Sequence, residues 1–544
     1  MRGEGTGVGE RSSLEMPFLP LTLTLSPKGR GEIFSGGTRG VGMDVFGNLV
    51  AGFQTALSLH NIYLCFIGCL FGTMVGVLPG IGPLAGISLL IPATYGIDAT
   101  GAIIMLAGIY YGAMYCGSTT SILMNIPGES ASVMTCVDGF RMTQKGRGGA
   151  ALFISAWGSF IGGNLSILGL MILAPLLANF ATRFGPPEIF AVLVLAFILL
   201  GSLGSGSFFK TMPMIILGMF LGTVGMDPLT GSFRFTHEVK DLFDGIGFVP
   251  VAMGAFGIGE ILIATEESLV RIIHKVKMRE LLPTREELRA SWGPIFRGSG
   301  LGFLIGILPG SAHVLSSFVS YAVEKKLSQH PEEFGTGRIE GVAGPETANN
   351  SATGGAMIPF LGIGIPTGPA TAVMMIALMI HGIRPGPLFI SEQPQIFWGL
   401  IASMYIGNVI LLILNLPLVG IFINLLRVPF RILFPLVLLI CLVGTYSVSS
   451  STFDLLVLLA SGVLGYIFRK LKYDLAPFIL ALIIGPLLEM SLRQSLMRSA
   501  GSLSIFWSNP ITLTLFAISS LLFVWNLITA VRPKSTWKKA LEQE

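Results

Sequence analysis

Two tracts of small polar residues lie inside otherwise apolar sequence and have the composition of an anion site. They span residues 116–121 and 347–355, and neither contains an Arg or a Lys. An anion there would be held by neutral hydrogen-bond donors and helix N-termini, with or without a co-bound cation. Small Ser, Thr and Gly residues also pack membrane helices, and for one tract alone both interpretations are equally open. Because the tracts are paired, we favour the site. The candidate substrate-binding residues are Ser118, Thr119, Thr120, Asn125, Asn349, Asn350, Ser351, Thr353 and Thr367.

Sequences that stop a helix accompany both tracts. Residues 125–128 read Asn-Ile-Pro-Gly, and residues 364–368 read Gly-Ile-Pro-Thr-Gly. Upstream, residues 72–80 and 302–310 share five of nine residues, keep Gly at every fourth place and end in Leu-Pro-Gly. Such breaks leave free N–H groups where the next helix starts, and these groups attract anions. The predicted breaks are Pro79, Gly80, Pro127, Gly128, Pro309, Gly310 and Pro366.

Two carboxylates lie beside these features. Glu129 follows the first break, and Glu346 directly precedes the second tract. Ionisable residues at membrane depth are costly and usually functional, so each could carry a coupling proton or help to hold Na⁺. Each could equally face water at an interface, and the Na⁺ ligands stay unassigned. We expect His313 to pack against or cap a helix, and Asp138 to lie at the surface.

The composition indicates a membrane protein. Of 544 residues, 52% are hydrophobic and 12% are charged, and the mean hydropathy is +0.76. A soluble protein of this size needs more charge to cover its surface. The Lys and Arg residues are dispersed in short loops, which favours membrane orientation signals over a nucleic-acid partner. The five cysteines lack metal-binding or redox spacing, so we predict neither a disulfide framework nor a structural metal site.

The repeated Leu-Pro-Gly segment, at an offset of 230 residues, divides the chain into two related halves. We predict an all-α polytopic membrane protein with about 11–13 transmembrane segments. Broken or re-entrant helices are expected around residues 81–97, 116–137 and 340–380. Basic residues at 141–147 are expected inside and Arg384 outside, which favours inverted repeats. The predicted divisions are a disordered or mis-annotated extension (1–42, with Met43 as the natural start), a first half (43–265), a charged cytoplasmic connector (266–297), a second half (298–531) and a basic cytoplasmic tail (532–544).

Four segments resemble the signatures of the TctA family, the large permease of bacterial tripartite tricarboxylate transporters. They are GTMVGVLPGIGP (72–83), YGAMYCGSTTSILMNIPG (111–128), GPETANNSATGG (344–355) and IGIPT (363–367). The resemblance implies a multi-pass protein of the bacterial inner membrane that works with a small four-helix membrane subunit and a periplasmic substrate-binding protein. It also implies uptake of citrate or another carboxylate, driven by Na⁺ or H⁺, with no cofactor beyond a coupling ion. The chain has no GxxxxGK[ST] nucleotide-binding sequence, which agrees with an ion gradient as the energy source.

Two other function classes stay open from the residues. A membrane-embedded enzyme would need a nucleophile paired with a base, or a metal constellation. Ser and Thr are plentiful, but no His lies at a telling spacing from a carboxylate, and HExxH is absent. A passive anion channel or a scaffolding subunit would not show trans-stimulated exchange. We therefore expect a transporter and not an enzyme.

Overall fold

A computed structural model describes residues 45–78, 82–203, 208–266, 281–310, 312–425 and 430–531. The predictions for residues 1–42 and 532–544 lie outside this range. The described part of the chain is almost entirely helical, as predicted, with one two-stranded antiparallel ribbon. Seven of its helices are long and apolar enough to cross a membrane, and shorter apolar helices accompany them. The protein is therefore an all-α polytopic membrane protein.

The described part of the first half contains ten α-helices and the ribbon. The elements are α1 (Val45–Ala56), α2 (Leu59–Val77), α3 (Gly82–Leu90), α4 (Ala99–Met124), α5 (Val133–Gln144), α6 (Gly148–Ala181), α7 (Pro186–Leu203), α8 (Phe208–Gly222), β1 (Gly225–Met226), β2 (Phe233–Arg234), α9 (Phe248–Ala252) and α10 (Gly259–Glu266). A π-helical segment, Met253–Ile258, joins α9 to α10.

The second half repeats the order of the first helices. The elements are α11 (Arg285–Gly306), α12 (Ala312–Leu327), α13 (Glu340–Gly362), α14 (Pro369–Ile380), α15 (Phe389–Glu392), α16 (Pro394–Asn415), α17 (Val419–Leu425), α18 (Phe430–Ser449), α19 (Thr452–Lys470), α20 (Leu475–Arg498), α21 (Ile505–Ser508) and α22 (Pro510–Val531). Residues 285–297, part of the predicted connector, form the first turns of α11.

The Gly-rich helices predicted from the repeat pack closely in both halves. A Cβ atom on Gly72 of α2 would lie 2.6 Å from the carbonyl oxygen of Ile109 in α4. A Cβ atom on Gly302 of α11 would lie 2.1 Å from the carbonyl oxygen of Ala348 in α13. Because only glycine permits this approach, the four-residue glycine spacing places α2 against α4 and α11 against α13.

The two halves are equivalent beyond the sequence repeat. Gly76 meets Ala113, and Gly306 meets Ala352, so α4 and α13 correspond at an offset of 239 residues. The same offset relates Pro127 to Pro366. It also relates Asn125 (φ 58°) to Gly364 (φ 81°), the left-handed residues that open the two breaks. Asn and Gly are the residues that adopt this conformation most readily, which explains why each helix stops there.

Contacts between the halves show that they are inverted. α2 and α3 form a hairpin that opens where His60 meets Asp98 at the start of α4. α5, which continues α4 beyond its break, reaches the open end of the α11–α12 hairpin, where Asp138 accepts a hydrogen bond from Tyr321 at 2.9 Å. Conversely, α14, which continues α13, packs against α3. The two hairpins thus open on opposite faces, as the basic residues predict.

We name the two faces by their residues. The His60 face carries His60 and Asp98, and the Arg147 face carries the ion pair of Arg147 with Glu287. Asp138 lies near the Arg147 face but is fully buried, so the prediction of a surface residue is wrong. The carboxylate of Asp138 accepts hydrogen bonds from the backbone N–H groups of residues 335, 337 and 338, which are distant in sequence.

α4 and α13 form the centre of this arrangement. Every residue of α4 from Gly101 to Met124 is buried, and so is every residue of α13 from Gly341 to Gly362. Two long apolar helices, α6 and α16, each pack against helices of the opposite half. α6 packs on α11 and α13, and α16 packs on α2 and α4. The polar tracts are therefore enclosed by other helices rather than by lipid.

Candidate substrate and ion site

In each half, the helix break lies against the hairpin of that half. In the second half, the N–H of Gly310 at the hairpin tip donates to the carbonyl oxygen of Thr367 in the break, at 2.7 Å. In the first half, Gly128 in the break lies against Gly76 near the hairpin tip and Gly117 of α4. Pro79 and Gly80, two predicted breaks, lie outside the described residues. Pro309 and Pro366 lie between helices, as predicted.

These breaks start four helices at similar places in the two inverted halves. α3 and α12 begin after the hairpin tips, and α5 and α14 begin after the breaks in the central helices. A short 3₁₀ turn, Ser130–Ser132, leads into α5. Helix N-termini inside a membrane protein offer N–H groups and partial positive charge to an anion. This arrangement suits a carboxylate without an Arg or Lys at the site.

The polar tracts themselves are continuous helix, and the breaks predicted around residues 116–137 and 340–380 come after them, so the prediction is wrong only for residues 340–353. Residues 116–124 belong to α4 and residues 340–353 to α13, and the breaks come only at residues 125–128 and 363–368. By the packing register, Ser118 corresponds to Met357, so the two tracts are not equivalent positions. They are brought together instead by a shared neighbour, α6.

Most hydroxyls of the tracts are satisfied by nearby carbonyl groups. Thr120 donates to Gly117, Thr353 to Asn350 and Thr367 to Ala356, while Ser351 donates to Ser299 of α11. Thr119 lies near the thiol of Cys116. These side chains pack helices in this conformation, whereas Asn125 is exposed at the first break.

Two predicted residues contact serines of α6. Ser118 Oγ lies 2.8 Å from Ser155 Oγ, and the amide of Asn350 donates to Ser159 Oγ at 2.7 Å. Ser155 and Ser159 are one helical turn apart on α6, so both tracts reach the same strip of this helix. This strip is not among the site residues predicted from the sequence. Its signal is Ser or Gly at positions 155, 158, 159, 162, 163 and 166 within an apolar helix.

A chain of hydrogen bonds joins the halves at the first break. The side-chain amide of Asn349 donates to Oε1 of Glu129 at 2.6 Å. The backbone carbonyl oxygen of Asn349 lies 3.2 Å from Nδ1 of His313. Nε2 of His313 lies 2.6 Å from the hydroxyl of Tyr110 in α4. A carbonyl oxygen only accepts, so Nδ1 carries a proton, and in the neutral imidazole Nε2 then accepts from the hydroxyl of Tyr110. His313 therefore links both central helices to the second hairpin tip.

Glu346 lies deeper than Glu129. Its side chain is fully buried in α13, and its Oε1 accepts a hydrogen bond from the hydroxyl of Thr135 in α5. No described residue forms a hydrogen bond with its Oε2, and the same holds for Oδ1 of Asn349 one turn along α13. None of the ion pairs among the described residues involves Glu129 or Glu346. Two acidic groups thus lie near the helix breaks without a basic partner in the described part of the chain.

Inverted halves, paired hairpins and broken central helices define the class of the protein as a polytopic membrane protein built like a secondary transporter. The family model described as "Tripartite tricarboxylate transporter TctA family" matches residues 62–480. The match covers most of the chain, so the chain belongs to the TctA family. It is a transporter component within a tripartite system, which confirms the resemblance seen in the motifs.

Curated relatives agree with this assignment. The chain is 47% identical over 492 residues to an uncharacterized 52.8 kDa protein in the TAR-I ttuC' 3'region of Agrobacterium vitis, covering 90% of this chain and 98% of the relative. A second protein, in the TAR-II ttuC' 3'region of the same organism, is 46% identical over 233 residues, covering 43% of this chain and 96% of the relative. An uncharacterized protein of Methanocaldococcus jannaschii is 26% identical over 196 residues, covering 35% and 47%. No solved structure matches the chain.

Proposed function

We propose that the chain is the permease of an ion-driven carboxylate importer of the bacterial inner membrane. Na⁺ or H⁺ moves down its gradient together with a tricarboxylate or dicarboxylate such as citrate. The observation that carries this proposal is the pairing of a helix break with a hairpin in each of two inverted halves, beside two acidic groups that have no basic partner in the described part of the chain. An anion held by helix N-termini beside these carboxylates is electrically favourable only when a cation accompanies it.

The orientation follows from the basic residues. Arg141, Lys145 and Arg147 lie at or near the Arg147 face, with Lys325 and Lys326 at the end of α12. Short cytoplasmic loops carry an excess of Lys and Arg. The Arg147 face is then cytoplasmic, and the His60 face receives the carboxylate from a periplasmic binding protein. A small four-helix membrane subunit completes the system.

Transport follows from the inversion. Two inverted halves can exchange conformations, so a site that is open to one side in one state is open to the other side in the next. Two sets of contacts break and re-form between the states: those of His313 with the central helices, and that of Gly310 with Thr367. These contacts change because they join the second hairpin tip to α4, to α13 and to the break that follows α13. Asn349 and Ser118 stay at the centre and hold the substrate in both states.

Reconstitution tests this proposal. The chain, its small subunit and the binding protein are placed in proteoliposomes, after a thermal-shift screen of the binding protein has named the carboxylate. We expect labelled substrate to accumulate above its external concentration when an inward Na⁺ or H⁺ gradient is imposed, and only with the binding protein present. Uptake that stops at equal concentrations under every gradient would indicate a passive channel. Chemical conversion of the substrate would indicate an enzyme.

A further inference from the structure

Glu346 is the buried acidic group whose surroundings the proposed carboxylate site does not explain. It lies one turn before Asn349 on α13, and its relative exposure is 0%. One carboxylate oxygen accepts from Thr135, while the other has no hydrogen-bond partner among the described residues. A buried carboxylate oxygen without a donor is destabilising unless something positive occupies the space beside it.

Oxygen atoms of several neutral side chains lie close to Glu346. Thr135 comes from α5 and donates to Oε1, and Ser118 of α4 lies close to the same carboxylate. Ser155 of α6 lies directly behind Ser118 at 2.8 Å. The unpartnered Oδ1 of Asn349 adds an oxygen one turn further along α13. Oxygen atoms from four helices therefore lie near Glu346. Oxygen is the ligand type that hard cations prefer.

The second acidic group does not compete for this position. Glu129 lies near enough to Glu346 to repel its charge, and its own Oε1 is occupied by the amide of Asn349. No Lys or Arg forms an ion pair with either carboxylate in the described part of the chain. Negative charge on both groups would be unfavourable at this distance, and a cation beside Glu346 would relieve the repulsion.

A cation and a proton would use these contacts differently. A proton on Oε2 of Glu346 would make one hydroxyl donor, which a single acceptor satisfies. A cation needs several oxygen ligands at once. The hydroxyls of Thr135 and Ser118 can rotate and turn their lone pairs toward a cation, and the unpartnered Oδ1 of Asn349 is a further acceptor. The number of neutral oxygen atoms therefore favours a cation site, and the response to Na⁺ distinguishes it from a proton site.

We propose that Glu346, Thr135, Ser118 and Asn349 form the binding site of one hard monovalent cation of the Na⁺ type. This inference rests on the proposed function, in which that cation is the coupling ion. Asn349 and Ser118 then belong to both sites. The oxygen of Asn349 faces the cation, and its amide nitrogen holds Glu129 beside the carboxylate substrate. Binding of the cation at Glu346 orders Asn349 and thereby prepares the substrate site.

Thermal unfolding of the purified full-length chain in detergent tests the site without requiring transport. Sodium chloride replaces choline chloride at constant ionic strength. We expect Na⁺ to raise the unfolding midpoint of the wild type in a saturable manner, because a ligand that binds only the folded state stabilises it. Glu346→Gln should lose the shift. Thr135→Val should weaken the apparent Na⁺ affinity about tenfold, as expected when about 1.4 kcal/mol of binding free energy is lost.

A matched control lies on the same helix. Thr143 of α5 is also buried, but its hydroxyl donates to the carbonyl oxygens of Ile122 and Gly139 and not to Glu346. Thr143→Val should keep the full Na⁺ shift. Because Thr135→Val preserves shape, it keeps the test decisive even where Glu346→Gln does not fold.

The outcomes separate this inference from the proposed function. A Na⁺ shift that depends on Glu346, in a chain that transports no carboxylate, supports the cation site and rejects the proposed function. Carboxylate uptake driven by a pH gradient, with no Na⁺ shift, overturns the site and leaves the function standing. An equal response to Na⁺ and choline, or an unchanged Na⁺ shift in both Glu346→Gln and Thr135→Val, also overturns it.

Discussion

Tyr110 of α4 and Asn349 of α13 occupy equivalent positions in the two inverted halves, and both bind His313. Tyr110 uses its side-chain hydroxyl and Asn349 its backbone carbonyl, at opposite nitrogens of the same imidazole ring. The symmetry of the halves is therefore broken at the site, because the first hairpin has no matching histidine. The second hairpin tip is fastened to both central helices in this conformation.

The hydroxyl of Tyr110 provides a test of that fastening. Tyr110→Phe keeps the ring but removes the donor to His313, a loss of about 1 kcal/mol for a typical hydrogen bond. We expect the uptake rate to change about fivefold while membrane expression is retained, because the balance between conformations shifts. Tyr111→Phe is the matched control, since the hydroxyl of Tyr111 has no hydrogen-bond partner in the described part of the chain. Equal uptake in the two variants would contradict the role of the tyrosine–histidine contact.

Asn349 and Ser118 are expected to be essential for transport. Asn349→Leu removes the donor to Glu129, and Ser118→Leu places an apolar group against Ser155. Each variant should abolish carboxylate uptake while the protein still reaches the membrane. The control is Asn164→Leu on α6, because the amide of Asn164 donates to the carbonyl oxygen of Phe160 in its own helix. Undiminished uptake in both site variants would reject the site.

The glycine contacts predict opposite effects for two neighbouring substitutions in α11. Gly302→Ala forces a methyl group against the carbonyl oxygen of Ala348 and should destabilise the protein by about 1–3 kcal/mol. A Cβ on Gly300 meets no atom within 4 Å, so Gly300→Ala should be neutral or should stabilise the helix by up to about 1 kcal/mol. Unfolding midpoints in detergent measure both. A lower midpoint for Gly300→Ala than for Gly302→Ala would contradict the packing of α11 on α13.

The inversion predicts opposite accessibility for two exposed loop residues. Lys145 follows α5 near the Arg147 face, and Arg384 follows α14 near the His60 face. Lys145→Cys should react with a membrane-impermeant maleimide only after the cells are opened, and Arg384→Cys should react in intact cells. The wild type, with its own five cysteines, measures the background. Labelling of both variants from the same side would contradict the inverted arrangement.

Much of the fold could be predicted because glycine and proline have few alternative uses. The Leu-Pro-Gly repeat and the two Ile-Pro breaks each mark a place where a helix must stop, and the structure places the two Ile-Pro breaks at equivalent positions. The inversion was also accessible, because basic residues distribute unequally between the two sides of a membrane.

The side-chain details could not be predicted, for two physical reasons. Ser and Thr serve both as donors and as small packing residues, so composition did not reveal that Thr120 and Thr353 bond within their own helices. Burial also depends on partners that are distant in sequence. Asp138 was expected at the surface because basic residues follow it, yet the backbone N–H groups of residues 335–338 enclose it.

Counterflow tests the central claim, alternating access at a site between inverted halves, most directly. Proteoliposomes that contain the transporter are loaded with unlabelled carboxylate, and entry of labelled carboxylate is measured without an ion gradient. The account predicts that internal substrate accelerates entry of the label and drives its transient accumulation. Equal entry of the label into loaded and empty proteoliposomes would contradict the account.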